Sequence, residues 1–487
     1  MLRLTERLFA NSSSIAAFGL VVSSVMPVWA VDSTTAPRPI PLTRPEMKEF
    51  LEDMKGRTQR IPLPELTDAD KEKLGERGGS YESRLRYHYM QPAEGQGPGG
   101  QGRGEGRGAG GGGFGRDNDP DMTLDYAFKV QLFWIVSRTN NCQYCLGHQE
   151  SKLLGAGMTE DEIAALDGDW SEHTPAQRTA YAFARKITYE PHLLNDGDID
   201  GLRKFYSDKQ ILEMILSVAG NNSINRWKEG AGIPQSSGGG NFGNRRPTEA
   251  AAERPVRPTT TTHSYLTPTS EKFQKSITKV APITIDPKSG APTRLTASNR
   301  PSLESRADVE KMLQVARQRT TRLPLVEEDK VRELIGDSVG EGPLPQWVRL
   351  LANFPTSAKG RVGSIQSAEV RSDLKPLLRA QLSWIIARQD RAWYALGQAK
   401  QRLKDLGWSD DQIYSLDGDW AGFTAAERSL FTVARKLAAT PVVLTDADVS
   451  EAVKEAGPRD VVQTISYTTN RASFDRITEA AGLRVEN

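Results

Sequence analysis

The chain has 487 residues, a formal net charge of +1 and 37% hydrophobic residues. This near-neutral balance excludes the strongly basic surface that recruits nucleic acid or an anionic membrane, so we expect neither as a partner. A chain of this length is typical of two or three domains.

The first 30 residues predict a secretory signal peptide. Arg3 and Arg7 form a basic start, and an apolar run from Ile15 to Met26 follows. Ala30 supplies a small residue before the expected cleavage site. The apolar run is too short to cross a bilayer comfortably. We therefore expect an exported protein of the periplasm or the extracellular space, with no integral membrane segment after signal removal.

Two parts of the chain repeat each other at a constant spacing of 250 residues. The run Leu-Asp-Gly-Asp-Trp at 166–170 recurs unchanged at 416–420. Gln131 likewise heads a Gln-Leu-x-Trp-Ile run that recurs from Gln381. Such self-similarity indicates a tandem duplication, and we expect the two copies to form a pseudo-symmetric pair. Because the Leu-Asp-Gly-Asp-Trp run is the same in both copies, we interpret it as structural.

The two copies and their connecting segments divide the chain. We predict an N-terminal linker at 31–45, repeat 1 at 46–235 with a Gly-rich insertion at 92–118, a flexible linker at 236–302, and a degenerate repeat 2 at 303–487. The linker is rich in Gly, Thr, Pro and Ser and carries too little apolar surface to fold alone. The insertion precedes the helix that leads to the cysteines, where it would be either a lid or a solvated loop.

Both copies carry the signatures of helices. Capping boxes begin at Thr159 and Thr174 in the first copy and at Ser409 and Thr424 in the second. Another at Ser207 precedes apolar residues that are spaced along one helical face. Alternating strand patterns bounded by turns are hard to find in either copy. The sequence therefore predicts an all-α fold.

The only two cysteines, Cys142 and Cys145, lie three residues apart, and His148 follows three residues later. With Asn141 as a helix N-cap, Cys142 falls in the first turn, where unpaired amides and the helix dipole favour a thiolate. At least one thiol is therefore expected to titrate below its ordinary pKa. His148 lies one turn from Cys145 on the same face and can carry a proton to or from that sulfur. In the second copy the three positions are Ala392, Ala395 and Gln398.

Other kinds of site compete for this motif. A zinc site needs a fourth ligand, and the remaining histidines show no metal spacing, so we expect no metal. A covalent haem needs a histidine directly after the second cysteine, where Leu146 stands. A purely structural disulfide would close only a very short loop and add little stability. Reversible redox chemistry is the interpretation that we favour.

The run Asn-Cys-x-Tyr-Cys-x-x-His at 141–148 resembles the carboxymuconolactone decarboxylase-like family, in its AhpD-like alkylhydroperoxidase branch. Residues 344–355 of repeat 2 resemble the upstream helix of that family. The resemblance implies an all-helical module and oligomers of several such units. It also implies that Cys145 attacks a peroxide, that Cys142 resolves the product as a disulfide, and that His148 belongs to a proton relay.

The family's relay glutamate would fall on Val130, so the neighbouring Gln131, together with Tyr144, is a candidate supporting residue. The predicted function is an exported thiol–disulfide oxidoreductase or peroxidase, with a peroxide or disulfide substrate and an unidentified thiol reductant. No organic cofactor is indicated. We expect homo-oligomers of fused two-unit chains. Two alternatives stay open: a non-enzymatic binding or scaffold protein with a residual disulfide, and a lyase of the carboxymuconolactone decarboxylase type.

Overall fold

The computed structural model describes residues 35–75, 80–90, 119–235, 265–294, 296, 302–370 and 373–486. The predicted signal peptide, the Gly-rich insertion and the first part of the linker lie outside these residues. Within the described part, the fold is helical apart from one short β-hairpin and an isolated bridge, which confirms the all-α prediction. Of the helices described, none combines the length and the apolar character that a membrane span requires.

The longest helix of repeat 1 is α9, which packs against α4, α5, α7 and α8. Its helices are α1 (Arg44–Asp53), α2 (Asp68–Leu74), α3 (Tyr81–Tyr89), α4 (Tyr126–Thr139), α5 (Gln143–Gly155), α6 (Glu160–Ala165), α7 (Pro175–Tyr189), α8 (Asp196–Arg203) and α9 (Asp208–Ala231). A short helix, α10 (Glu271–Gln274), and a hairpin of β1 (Thr284–Ile285) and β2 (Pro292–Thr293) follow it. Helix α4 packs against α5, α7 and α9 and forms the apolar centre of this repeat.

From its fifth helix onwards, repeat 2 has the same order of elements as repeat 1 has from its fourth helix onwards. Its helices are α11 (Arg306–Arg317), α12 (Glu328–Ile335), α13 (Gln346–Leu351), α14 (Pro355–Val370), α15 (Pro376–Asp390), α16 (Trp393–Asp405), α17 (Asp410–Ser415), α18 (Ala425–Ala438) and α19 (Asp446–Ala480). Helix α19 breaks at Gly457, which has a φ of 84° and is followed by Pro458. The parts before and after the break correspond to α8 and α9. That this correspondence arose by duplication stays a prediction.

The predicted capping boxes are present in the structure. At Thr159, Thr174, Ser409 and Thr424 the N-cap hydroxyl accepts from the N3 amide and the N3 side chain accepts from the N-cap amide. The box at Ser207 begins α9 in the same way. Each box satisfies two amides that a helix start would otherwise leave unpaired, and this explains why these helices begin where they do.

The two repeats meet where α9 lies against α19. A Cβ atom on Gly230 would lie 2.7 Å from Ile465 of α19 and 3.1 Å from Leu437 of α18. A side chain at this position would therefore force the helices apart. Residues of both repeats share one apolar cluster there, including Trp227, Leu437 and Ile465.

Described residues of both predicted linkers, the N-terminal linker and the flexible linker, are buried or hydrogen-bonded to repeat 1. In the predicted linker 236–302, Thr278 donates a hydrogen bond to Asp167 Oδ1 at 2.5 Å, and Val280 is fully buried. In the predicted N-terminal linker 31–45, Ile40 and Leu42 are buried. Low average hydrophobicity concealed a few apolar and hydroxyl side chains that pack one by one against repeat 1.

The Leu-Asp-Gly-Asp-Trp run has the structural role that its repetition predicts. Asp167 accepts from Arg138 Nε at 3.0 and 3.1 Å, and Asp417 accepts from Arg388 Nε at 2.9 Å. Both tryptophans that end the run have a positive φ, 62° at Trp170 and 63° at the matching residue of repeat 2. These contacts join a tight turn to the neighbouring helix in each repeat.

Candidate dithiol site

The turn between α4 and α5 sets the position of the cysteines. Asn141 adopts a left-handed φ of 58°, a conformation that asparagine tolerates, and its side-chain amide donates to the carbonyls of Arg38 and Pro39 at 3.1 and 3.3 Å. Cys142 is itself the N-cap of α5, one residue later than predicted, and its amide donates to the Ser137 carbonyl at 2.9 Å. The first turn of α5 then carries Cys145.

Both cysteines are free thiols and are almost completely buried, with 0% of Cys142 and 2% of Cys145 exposed. Burial raises the pKa of Cys142 well above its ordinary value, and the hydrogen bond and charge of Cys145, followed by the charge of Glu229, raise it further. The amide of Cys145 acts in the opposite direction but is the weakest of these influences. The expected depression of the thiol pKa at the helix start is therefore wrong for Cys142, because desolvation exceeds the effect of the helix terminus.

Glu229, in the last turn of α9, is the functional candidate that the sequence interpretation missed. Its carboxylate lies 3.3 Å from Arg57 Nη2 and 3.5 Å from Arg38 Nη1, and its charge acts on the buried Cys142 thiol. Burial raises the pKa of Glu229, but Arg57, Arg38 and Arg60 together lower it below its ordinary value. A charged carboxylate thus acts on a buried, protonated thiol.

A signal for Glu229 was present in the repeat itself. Arg57, Arg60 and Glu229 recur in repeat 2 as Arg319, Arg322 and Glu479. Arg319 Nη1 donates to Glu479 at 2.9 Å, just as Arg57 approaches Glu229. The paired recurrence of an acid and two arginines indicates that the carboxylate is held in place in both repeats.

Tyr144 and His148 lie together beside the cysteines on α5. Their ring centroids are 4.6 Å apart, and Lys228 Nζ lies 4.7 Å from the centroid of the tyrosine ring. Burial raises the pKa of Tyr144, and the charges of Glu82 and of both cysteines add to the rise. The structure therefore places Tyr144 close to the thiols. His148 is half-buried and lies one turn beyond Cys145 on the same helix.

Gln131 does not belong to this site. Its side chain accepts a hydrogen bond from the Tyr181 hydroxyl and donates to the Met158 sulfur at 3.5 Å. The prediction that Gln131 supports the cysteines at the relay position is therefore wrong. A buried carboxylate does lie near the thiols, but α9 supplies it rather than α4.

A second layer covers the outer face of α5. A Cβ atom on Gly147 would lie 2.3 Å from Gln235 Nε2 and 2.7 Å from the Tyr265 hydroxyl, so this glycine permits the close approach of both. Gln235 donates to the Tyr265 hydroxyl at 2.7 Å. Tyr265 belongs to the predicted linker, so the linker contributes directly to the burial of the site.

Repeat 2 keeps the framework without the thiols. Ala392 and Ala395 are buried at the matching helix start, and the Tyr394 amide donates to Glu479 at 3.2 Å. Gln398 Nε2 donates to the Tyr394 hydroxyl at 3.1 Å. The Glu479 carboxylate of repeat 2 thus accepts from an amide at a helix start, whereas the charge of Glu229 in repeat 1 acts on a thiol.

Within the described residues, no group of three or more His, Cys, Asp or Glu side chains is arranged to hold a metal ion. Comparison with known proteins gives no matching family model and no matching curated protein. The geometry of the dithiol site is therefore the basis on which a function can be proposed.

Proposed function

We propose that the chain is an exported thiol–disulfide oxidoreductase that cycles Cys142 and Cys145 between dithiol and disulfide, with a peroxide or a disulfide as oxidant. The observation that carries the proposal is that Cys142 and Cys145, both free and almost completely buried, lie at the start of one helix, where the charge of Glu229 acts on Cys142. The resemblance of this motif to the AhpD-like branch agrees with the same chemistry.

With a peroxide, the Cys145 thiolate attacks one peroxide oxygen. A sulfur–oxygen bond forms, the oxygen–oxygen bond breaks, and the leaving alkoxide takes a proton, for which His148 is the candidate donor. The Cys142 sulfur then attacks the Cys145 sulfenic acid, so that a disulfide forms and water leaves. A thiol reductant restores both thiols and is itself oxidised to a disulfide.

The second step needs an acceptor for the Cys142 proton. Glu229 is the candidate acceptor, because its arginine neighbours keep it charged and its charge acts on that thiol. Because the pKa of Cys142 is raised and that of Glu229 is lowered, the proton is expected to move only as the sulfur–sulfur bond forms. Glu229 would thus assist resolution without maintaining a stable thiolate at Cys142, and the proton that it accepts would pass to the leaving hydroxide, which departs as water.

The test is the oxidation of the reduced mature protein by one equivalent of peroxide, followed by mass spectrometry. We expect the loss of two hydrogens from the intact chain, located to a peptide that links Cys142 and Cys145. Cys142→Ser should instead accumulate a sulfenic acid at Cys145 that a dimedone-type probe captures. Thiols that remain reduced, or a disulfide that a thiol reductant never opens, would favour the non-enzymatic scaffold alternative.

A further inference from the structure

One arginine joins repeat 2 to the dithiol site of repeat 1. Arg60 Nε forms an ion pair with Asp446, at the start of α19, and Nη2 donates to the Leu444 carbonyl at 3.2 Å. On the other side, Nη1 donates to the carbonyl of Glu229 at 2.6 Å. The same guanidinium thus contacts two residues of repeat 2 and Glu229, the residue whose charge acts on the Cys142 thiol.

Arg60 has little freedom to move. Its side chain is 4% exposed, and its stem packs over Gly232, where a Cβ atom would lie 2.6 Å from Arg60 Cγ. Gly232 also ends α9 with a left-handed φ of 65°. The backbone carbonyls and this packing would hold the guanidinium in place even if the charge of Asp446 were removed.

A second arginine crosses the boundary near the same thiol. Arg226 Nη2 donates to the Ala438 carbonyl at 3.0 Å and to Thr440 Oγ1 at 2.9 Å, both in repeat 2. Its Nη1 donates to Asn140 Oδ1 at 3.3 Å, two residues before Cys142. Burial, followed by the charge of Arg476 from repeat 2, lowers the pKa of Arg226 to about 9. Charges of repeat 2 therefore act on the surroundings of the thiol by an independent route.

From these contacts we infer that Asp446 of repeat 2 is a positioning residue of the dithiol site and acts through Arg60 and Glu229. Its negative charge balances Arg60, and the strength of the positive potential around Glu229 and Cys142 depends on that balance. Repeat 2 then affects the ionisation of the thiols in repeat 1, in addition to burying the apolar face of that repeat. The biological meaning of this inference rests on the proposed function.

The chain contains its own control for this inference. Arg322 makes the matching contacts in the other direction. It donates to Asp196 at 3.0 Å, to the Leu194 carbonyl at 2.9 Å and to the Glu479 carbonyl at 2.7 Å. Asp196 and Asp446 are both the first residue of a helix, so removing either charge weakens the same kind of helix terminus. Arg322, however, leads to a helix start that has no cysteine.

The experiment measures the rate of thiol alkylation against pH in the reduced full-length protein. In Asp446→Asn, the unbalanced charge of Arg60 should move the apparent thiol midpoint to lower pH by about half a unit or more. In Arg60→Gln the loss of that charge should move the midpoint to higher pH. Asp196→Asn and Arg322→Gln should leave the midpoint where it is in the wild type.

Opposite shifts in Asp446→Asn and Arg60→Gln, with no shift in Asp196→Asn and Arg322→Gln, would support the inference. An unmoved midpoint in both Asp446→Asn and Arg60→Gln would overturn it. Equal shifts in one of these variants and in its matching control would also overturn it. Asp196 is more exposed than Asp446, whereas the side chains of Arg60 and Arg322 are similarly buried, at 4% and 10% exposed. The two arginine variants are therefore the closer match, and they decide the result if an aspartate variant does not fold. A wild type that never forms the disulfide would end the redox proposal without changing this outcome.

Discussion

Cys142 stands where two effects on one thiol oppose each other. As an N-cap it receives the influence of the Cys145 amide, which favours the thiolate, but its complete burial and the charge of Glu229 favour the thiol. The second pair of effects is stronger, so the group stays protonated in the folded protein at neutral pH. In an unfolded chain the same thiol would be solvated and would ionise at its ordinary pKa.

This difference predicts how stability depends on pH. The folded state keeps the Cys142 proton above about pH 9, where the unfolded chain has lost it, so the wild type loses stability as pH rises through that range. Cys142→Ala lacks this proton. The difference in unfolding free energy between wild type and variant should therefore change by about 1.4 kcal/mol for each pH unit above the ordinary thiol value.

Denaturant unfolding under reducing conditions from pH 7 to alkaline pH measures this difference. The buried tyrosines also titrate there, but they are present in both proteins and cancel in the comparison. At pH 7 the Cys142 thiol is protonated in both the folded and the unfolded wild type, so the difference between the two proteins at that pH gives the baseline. If the two proteins lost stability in parallel at every pH, the pKa of Cys142 would not differ between the folded and unfolded states.

At this scale the sequence identified the thiols but not their environment. Cysteine is rare in this chain, so the spacing of Cys142, Cys145 and His148 stands out in the printed sequence. Glu229 lies 169 residues after Arg60, and no local pattern connects them. Desolvation also has no sequence signature, because it depends on every segment that packs around the sulfur.

At the scale of elements, the segment after repeat 1 is the main departure from expectation. Its composition predicts a linker, and composition is an average over many residues. The contacts that hold it are individual ones: the Lys279 amide donates to the Asp167 carbonyl at 2.8 Å, and Arg185 donates to the Val280 carbonyl at 2.9 Å. Asp167 and Arg185 belong to the part that recurs in repeat 2, and these hydrogen bonds join the segment to repeat 1.

The cover over α5 gives a prediction at Gly147. In Gly147→Ala the new methyl group would overlap Gln235 and the Tyr265 hydroxyl, so the cover should shift and alkylation of the thiols should accelerate several-fold. The overpacking should also cost about 1–3 kcal/mol of stability. Rates of alkylation at fixed pH, with thermal unfolding of the same samples, measure both effects.

Gly397→Ala is the matched control, because Gly397 occupies in repeat 2 the position that Gly147 has in repeat 1. A Cβ atom on Gly397 would lie 2.6 Å from Val485. It should lower stability to a similar degree and leave the alkylation rate unchanged. If both variants accelerated alkylation equally, general loosening rather than displacement of the cover would be the cause.

At the scale of the molecule, the two repeats meet at one interface that carries two matching sets of contacts. Arg60 and Arg322 reach across it in opposite directions, and each contacts an aspartate, a leucine carbonyl and the carbonyl of its own repeat's glutamate. The repeated sequence predicted such a pairing. It could not predict which surfaces meet, because that depends on the apolar cluster around Trp227 and Ile465.

When the two repeats are separated, repeat 1 loses the surface that packs against its apolar face. A fragment of residues 31–296 keeps the segment that covers α5 but exposes the apolar face that meets α19, so it should self-associate or aggregate. Adding residues 302–487 in trans should restore a soluble one-to-one complex and the alkylation profile of the intact chain. Size-exclusion chromatography with light scattering, and alkylation of the same fractions, measure both. A fragment that is monomeric alone and has the thiol profile of the intact chain would show that repeat 1 needs neither the packing surface nor the charges of repeat 2.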